Sequence, residues 1–227
     1  MIKAVIFDLD DTLYNERDFV IESFKEVCRY LSAKHNLNYD ELLYKTIEIL
    51  EQQGRGEIFN VLCELYSLDE NIDTLVDIYR DAKPSIKLYD DGEYILNMLS
   101  DKYKLGLITD GMAKVQWNKI DALDIKKCFQ KIIVTDDYGR EFWKPYKFAY
   151  DEMLQSFKCC ANEAIYIGDN PNKDFIGARE VGLNTVRIIR EHGDHMKTKL
   201  DKSFEADYII NDLKEVMNYL NKININK

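Results

Sequence analysis

The stretch Val5-Ile6-Phe7-Asp8-Leu9-Asp10-Asp11-Thr12-Leu13, VIFDLDDTL, decides how the rest of the chain is read. A run of apolar residues, Ala4–Phe7, has the character of a strand buried on both faces, and it stops at three carboxylates within four residues. Carboxylates gathered at the edge of a core repel one another. Desolvating each one costs on the order of several kcal/mol unless a cation or hydrogen bonds compensate. A positive group therefore belongs at this strand end.

Working outward, the same pattern recurs. Residues 105–108 run apolar into Thr109-Asp110, residues 132–134 into Thr135-Asp136-Asp137, and residues 164–167 into Gly168-Asp169; residues 185–189 form a fifth run. Helical spacing of apolar residues appears between them, over 92–99, 146–157 and 174–181. Short apolar runs alternating with helices predict an α/β fold: a three-layer, Rossmann-like core with a central parallel sheet. From residue 15 to 83 the strands disappear, and four helical stretches (19–31, 39–50, 57–66 and 72–79) are closed by Pro84. This predicts an all-helical insertion, a cap of residues 15–83, placed above the acidic strand end of a core made of 1–14 and 84–227.

A chain of 227 residues with 46% hydrophobic content is long enough for such a core. The net charge of −10 and the lack of a dense Lys/Arg run argue against a nucleic-acid polymer as partner. No apolar run approaches the roughly 20 residues that span a bilayer. The N-terminus enters a strand at once, so a cytoplasmic protein without membrane association or signal peptide is expected. Cys28, Cys63, Cys128, Cys159 and Cys160 lack metal-type spacing and read as reduced, mostly packed thiols. Oligomeric state has no signal in the sequence.

In open parallel sheets ligands bind beyond the carboxyl ends of the strands. The residues collected there are Asp8, Asp10, Thr109, Asp169 and Asp174, with Lys144 from a loop ahead of a helix. Clustered carboxylates describe a magnesium (Mg2+) site, and a lysine and a hydroxyl beside it describe phosphate binding.

These residues carry a resemblance. The chain resembles the haloacid dehalogenase superfamily, in its phosphatase branch with a helical cap after the first strand. DLDDT (Asp8 to Thr12) matches the DxDxT motif, and Thr109 in LGLITDG matches the strand-closing Thr or Ser. Lys144 in WKPYKFAY matches the motif lysine, and Asp169 and Asp174 in GDNPNKD match GDxxxxD. The four occur in order, with the insertion between the first two. The resemblance implies that Asp8 is the nucleophile attacking a phosphomonoester, and that Asp10 is the acid and base for leaving alcohol and incoming water. It implies magnesium held by the Asp8 side chain, the Asp10 backbone carbonyl and Asp169, with Asp174 binding directly or through water. Lys144 would steady Asp8 and the phosphoryl oxygens, and Thr109 would orient the phosphoryl group. Asp110 is read as the N-cap of the next helix and is grouped with the substrate-binding residues. The implied partner is a small phosphorylated metabolite, such as a sugar phosphate, phosphoglycolate or a nucleoside monophosphate.

Other readings stand beside this one. A sugar phosphomutase shares all four motifs, and a non-catalytic phosphate-binding descendant would lose the nucleophile or the acid, both present here. A haloacid dehalogenase would lack the acid at position 10. A receiver-type signalling domain fails on motif order and on the large insertion. Asp11 is expected to face solvent or cap a turn. His192 and His195, with no third ligand, read as a solvated loop. Trp143 is unusual before the motif lysine and would wall the site or pack beneath it.

Overall fold

The computed structural model describes residues 1–225. Among them, β1 (Ala4–Phe7), β2 (Lys104–Thr109), β3 (Lys131–Val134), β4 (Ala164–Gly168), β5 (Asn184–Ile188) and β6 (Tyr208–Ile210) form one parallel sheet in the order β3-β2-β1-β4-β5-β6. Every residue of β1 and β4 is buried, which is why their sequences run apolar instead of alternating. β1 lies between β2 and β4, with Phe7 opposite Leu107 on one side and Ile167 on the other. The chain order reverses at β1. The crevice at that reversal is where an open α/β sheet opens its binding site.

The chain divides into two compact units, Met1–Glu16 with Lys87–Lys227, and Arg17–Ile86. In the first, α5 (Asp90–Ser100), α6 (Ala113–Ala122), α7 (Phe148–Phe157), α8 (Asp174–Glu180) and α9 (Val216–Ile225) accompany the strands. Ile6, Ile108 and Tyr166 from the sheet pack with Tyr150 and Met153 of α7 and Phe175 of α8 in one buried cluster. In the second unit, α1 (Glu16–His35, whose first residue still belongs to the first unit), α2 (Tyr39–Gln53), α3 (Ile58–Leu65) and α4 (Ile72–Asp81) follow one another. Phe24, Phe59 and Tyr79 meet there with ring centroids 5.6–6.1 Å apart. Asn38 and Asn71 cap α2 and α4 through their side-chain oxygens, which accept from Glu41 N and Asp73 N.

Two α-helices and one strand of the structure have no counterpart in the sequence expectations. α6 is absent from them because its buried positions are Gln116, Lys119 and Ile120, two of the three polar, so the helix shows no apolar stripe. β6 has three residues, one of them the exposed Ile209, and falls below any periodicity test. α9 had no expectation either. The helix expected over 146–157 begins two residues later, at Phe148, with Lys147 at its N-cap position. Among the thiols, all free, Cys28 and Cys63 are buried while Cys160 is exposed.

Candidate active site

The end of β1 carries Asp8, whose backbone N–H still donates to Ile167 O at 2.8 Å as if the ladder continued. That fixes the direction of its side chain, which is buried. Asp169 follows the last residue of β4, and Asp174 opens α8. One carboxylate oxygen from each of the three lies within 4.8 Å of the others. Asp174 is gripped from several sides: Oδ1 accepts from Lys144 Nζ (2.8 Å) and Tyr166 OH (3.1 Å), and Oδ2 accepts from Asn170 N (2.8 Å).

Lys144 is the buried cation of the group. Its ammonium donates to Asp8 Oδ1 at 2.5 Å, to Asp174 Oδ1 at 2.8 Å and to Tyr166 OH at 3.0 Å, so its three N–H groups each meet an acceptor. Burial works against that ammonium, but Asp174 and Asp8 hold its pKa well above the ordinary value. Burial also opposes ionisation of Asp174, yet Lys144 and Lys173 keep it below the usual carboxylate range. Asp8 is pushed up to about 7, chiefly by burial and further by Asp174, against the pull of Lys144. Asp169 is raised well above its ordinary value by burial, then by Asp174 and Asp8. Three buried carboxylates against one contacting ammonium leave an excess of negative charge.

That donor set is all oxygen and hard, which fits a small divalent cation such as Mg2+ better than a soft metal. Asp8, Asp169 and Asp174 are the side chains that could hold it. The carboxylate of Asp10 lies outside this group and turns toward α6. Oδ1 accepts from Tyr14 OH (2.6 Å) and Lys119 Nζ (2.7 Å), and Oδ2 accepts from Gln116 Nε2 (2.9 Å). Gln116 Nε2 also donates to Thr109 Oγ1 at 2.5 Å, where Thr109 closes β2.

Asp110 does not cap α6. Met112 holds the N-cap position without a side-chain bond, and Ala113 N donates instead to Asp136 Oδ2 at 2.8 Å. Asp110 Oδ1 accepts from Thr135 Oγ1 (2.7 Å) and from the backbone N of Lys144 (3.1 Å), tying the β2 and β3 ends to the lysine loop. Its buried Oδ2 has no hydrogen-bond partner and lies 3.6 Å from Lys173 Nζ. Asp11 is buried, not solvent-facing; at φ 52° it accepts from Glu16 N (3.0 Å) at the start of α1 and from Asp194 N (3.2 Å). Trp143 is half-buried, with Nε1 donating to Asp136 Oδ1 at 3.2 Å. His192 is exposed, and His195 contributes its backbone carbonyl to Arg187.

Several residues of this neighbourhood were missed from sequence. Lys119 and Gln116 sit on the unrecognised α6, Tyr14 lies just past the acidic stretch, and Tyr166 stands inside the apolar run 164–167. Arg190 is another: it donates to Thr12 O and Asp91 Oδ2, both at 2.6 Å, and stacks 4.1 Å above the Tyr89 ring, fastening the loop after β1. The i, i+3 spacing of Gln116 and Lys119 was the available signal, but it is visible only once α6 is known.

A parallel sheet reversing at an acidic strand end, with one lysine bonded to two of three buried aspartates, is the arrangement of a hydrolase family that the sequence also matches. Residues 5–188 match the haloacid dehalogenase-like hydrolase family model, and the chain belongs to that family. It is 30% identical to the glyceraldehyde 3-phosphate phosphatase of Methanocaldococcus jannaschii, over 98% of this chain and 99% of that one. It is 26% identical to pyrophosphatase PpaX of Oceanobacillus iheyensis over 95% of each. Among solved structures, a HAD phosphatase from Thermococcus onnurineus superposes with a TM-score of 0.63 at 27% identity, covering 96% of this chain and 98% of that one.

Proposed function

We propose that the protein is a magnesium-dependent phosphatase of small phosphorylated metabolites, working through a phosphorylated Asp8. The observation that carries this reading is the buried group of Asp8, Asp169 and Asp174 with Lys144 bonded to the first and last. In the first step Asp8 attacks phosphorus, the ester P–O bond breaks, and Asp10 gives a proton to the departing alcohol oxygen. In the second, water attacks the aspartyl-phosphate as Asp10 takes its proton, releasing phosphate and restoring Asp8. Asp8, Asp169 and the Asp10 carbonyl, with Asp174 directly or through water, would hold a magnesium ion, which when bound would supply charge compensation for the phosphoryl oxygens. Lys144 keeps Asp8 oriented and offsets its charge. Thr109 donates to the phosphoryl group, and Asp110 acts through its hold on the Lys144 backbone. Lys173, with Nζ 3.6 Å from Asp110 Oδ2, is a second cation for an arriving dianion.

The relatives' names make glyceraldehyde 3-phosphate the first substrate to try and pyrophosphate the second. On its insertion point in the sequence alone, the helical unit is assigned the selection of small substrates. The test is phosphate release from glyceraldehyde 3-phosphate, pyrophosphate, phosphoglycolate and nucleoside monophosphates, with magnesium and with chelator, by wild type and Asp8→Asn. Release that requires both magnesium and Asp8 is the expected result. Release that survives Asp8→Asn overturns the covalent route, and isomerised sugar phosphate without release would identify a mutase.

A further inference from the structure

The acid and base of the proposed reaction is held by residues that lie outside the four motifs quoted from the sequence. Gln116 and Lys119 lie three apart on α6, hence on one face of the helix, and both are buried. A buried lysine needs a reason, since desolvating an ammonium is costly unless it is paired. Lys119 is paired with Asp10 Oδ1 at 2.7 Å and Glu16 Oε1 at 3.3 Å. Tyr14 OH also donates to Asp10 Oδ1, so that oxygen has two donors, its ordinary capacity. Oδ2 receives one, from Gln116, and keeps one lone pair. The carboxylate is thus asymmetric: one oxygen is saturated and the other can still carry a proton.

Gln116 does a second thing. Its NH2 group has two hydrogens, and the same nitrogen reaches Asp10 Oδ2 at 2.9 Å and Thr109 Oγ1 at 2.5 Å. Because Thr109 Oγ1 accepts there, the hydroxyl's own proton is turned away from Gln116. It can be given to an oxygen of the phosphoryl group.

We propose that Lys119 and Gln116 are positioning residues of the reaction: Lys119 locks Asp10 so that Oδ2 is the proton-transferring atom, and Gln116 couples Asp10 to the phosphate-binding hydroxyl of Thr109. The inference rests on the phosphatase reading above. It also explains why α6 buries polar residues where a sheet-covering helix ordinarily buries apolar ones.

The test compares kcat/KM, which reports the steps through phosphorylation of Asp8, for an alkyl phosphate and for p-nitrophenyl phosphate. The alcohol leaves only with proton assistance, whereas nitrophenolate leaves without it. Lys119→Met is expected to lower kcat/KM on the alkyl ester by about 10–100-fold and on the aryl ester by less than about 3-fold, a part of the full acid contribution. Gln116→Leu is expected to lower both, since it also loosens Thr109, with the larger loss on the alkyl ester. Lys119→Gln repeats the comparison if methionine is not tolerated, as judged by thermal melting. Equal losses on the two esters, or no loss, would make Lys119 merely structural and overturn the inference while the phosphatase stands. A wild type that hydrolyses neither ester, with magnesium present, would overturn both.

Discussion

At the scale of single residues, Asp8 and Lys144 make opposite contributions to stability although they form one ion pair. Asp8 is a carboxylate that burial and Asp174 push up to about 7, so its ionised form is a burden on the folded state near neutrality. Asp8→Asn is therefore expected to reduce phosphate release by at least about 10³-fold, as loss of a nucleophile does. Its melting temperature in chelator at pH 8 should be no lower than that of wild type. A melting temperature several degrees lower would show that the Lys144 bond outweighs the repulsion. Lys144 is the converse case. Removing it leaves Asp8 and Asp174 buried without their cation, and breaking a buried pair in this way costs about 3–5 kcal/mol. Lys144→Met should unfold at clearly lower denaturant than wild type, and Lys144→Met with Asp174→Asn should regain part of the loss. If the double variant is no more stable than the single, the unpaired Asp174 is not the cause.

At the scale of elements, the site depends on how closely backbone approaches backbone. A Cβ on Gly177 of α8 would lie 2.2 Å from the Pro145 carbonyl oxygen, which is main chain and adjoins Lys144. Gly177→Ala must separate α8, the carrier of Asp174, from the loop that carries Lys144. Overpacking of this kind typically costs about 1–3 kcal/mol. The expected outcome is a lower unfolding midpoint together with a lower kcat, because both partners of the Lys144–Asp174 bond move. Unchanged kcat in a folded variant would show that the loop yields without disturbing the lysine. This dependence marks the boundary of what could be read in the sequence. Strand ends were legible because burial on both faces forces apolar runs, and polar residues at their tips stand out against them; Asp8, Thr109 and Asp169 were located that way, whereas Asp174, which opens α8, was assigned through its place in GDNPNKD. α6 was not legible, since Gln116 and Lys119 are buried by pairing with other side chains and periodicity registers only apolar burial. Asp110 looked like a helix cap because an Asp after a strand usually is one; Thr135 and the Lys144 backbone, distant in sequence, claim its Oδ1 instead.

At the scale of the whole molecule, the buried carboxylates set how stability responds to pH and to metal. Asp8 is raised to about 7 and Asp11 to about 6, chiefly by burial, and Asp169 is raised as well. A carboxyl whose pKa is higher folded than unfolded binds its proton more tightly in the native state. Its stabilising contribution is therefore complete below its unfolded value and is lost as pH climbs through the folded one. Asp174 and Glu70 are lowered, so their contribution disappears only in acid, below the window that matters here. His195, lowered by burial, opposes the carboxyls below its ordinary 6.5, but it is one half-buried group against three buried ones. In chelator, the melting temperature should fall as pH rises from 5.5 to 8. Magnesium should reverse this at pH 8, where the carboxylates it would bind are ionised, and do less at 5.5, where protons compete with it. At 100 times its dissociation constant a ligand adds about 2.7 kcal/mol, or about 5–10 °C for a chain of this size. Asp8→Asn should flatten the slope in chelator and shrink the magnesium shift together, since one residue contributes to both. A melting temperature in chelator that is level from pH 5.5 to 8, or a magnesium shift equal at the two ends, would mean that the carboxylate cluster is not where the metal binds.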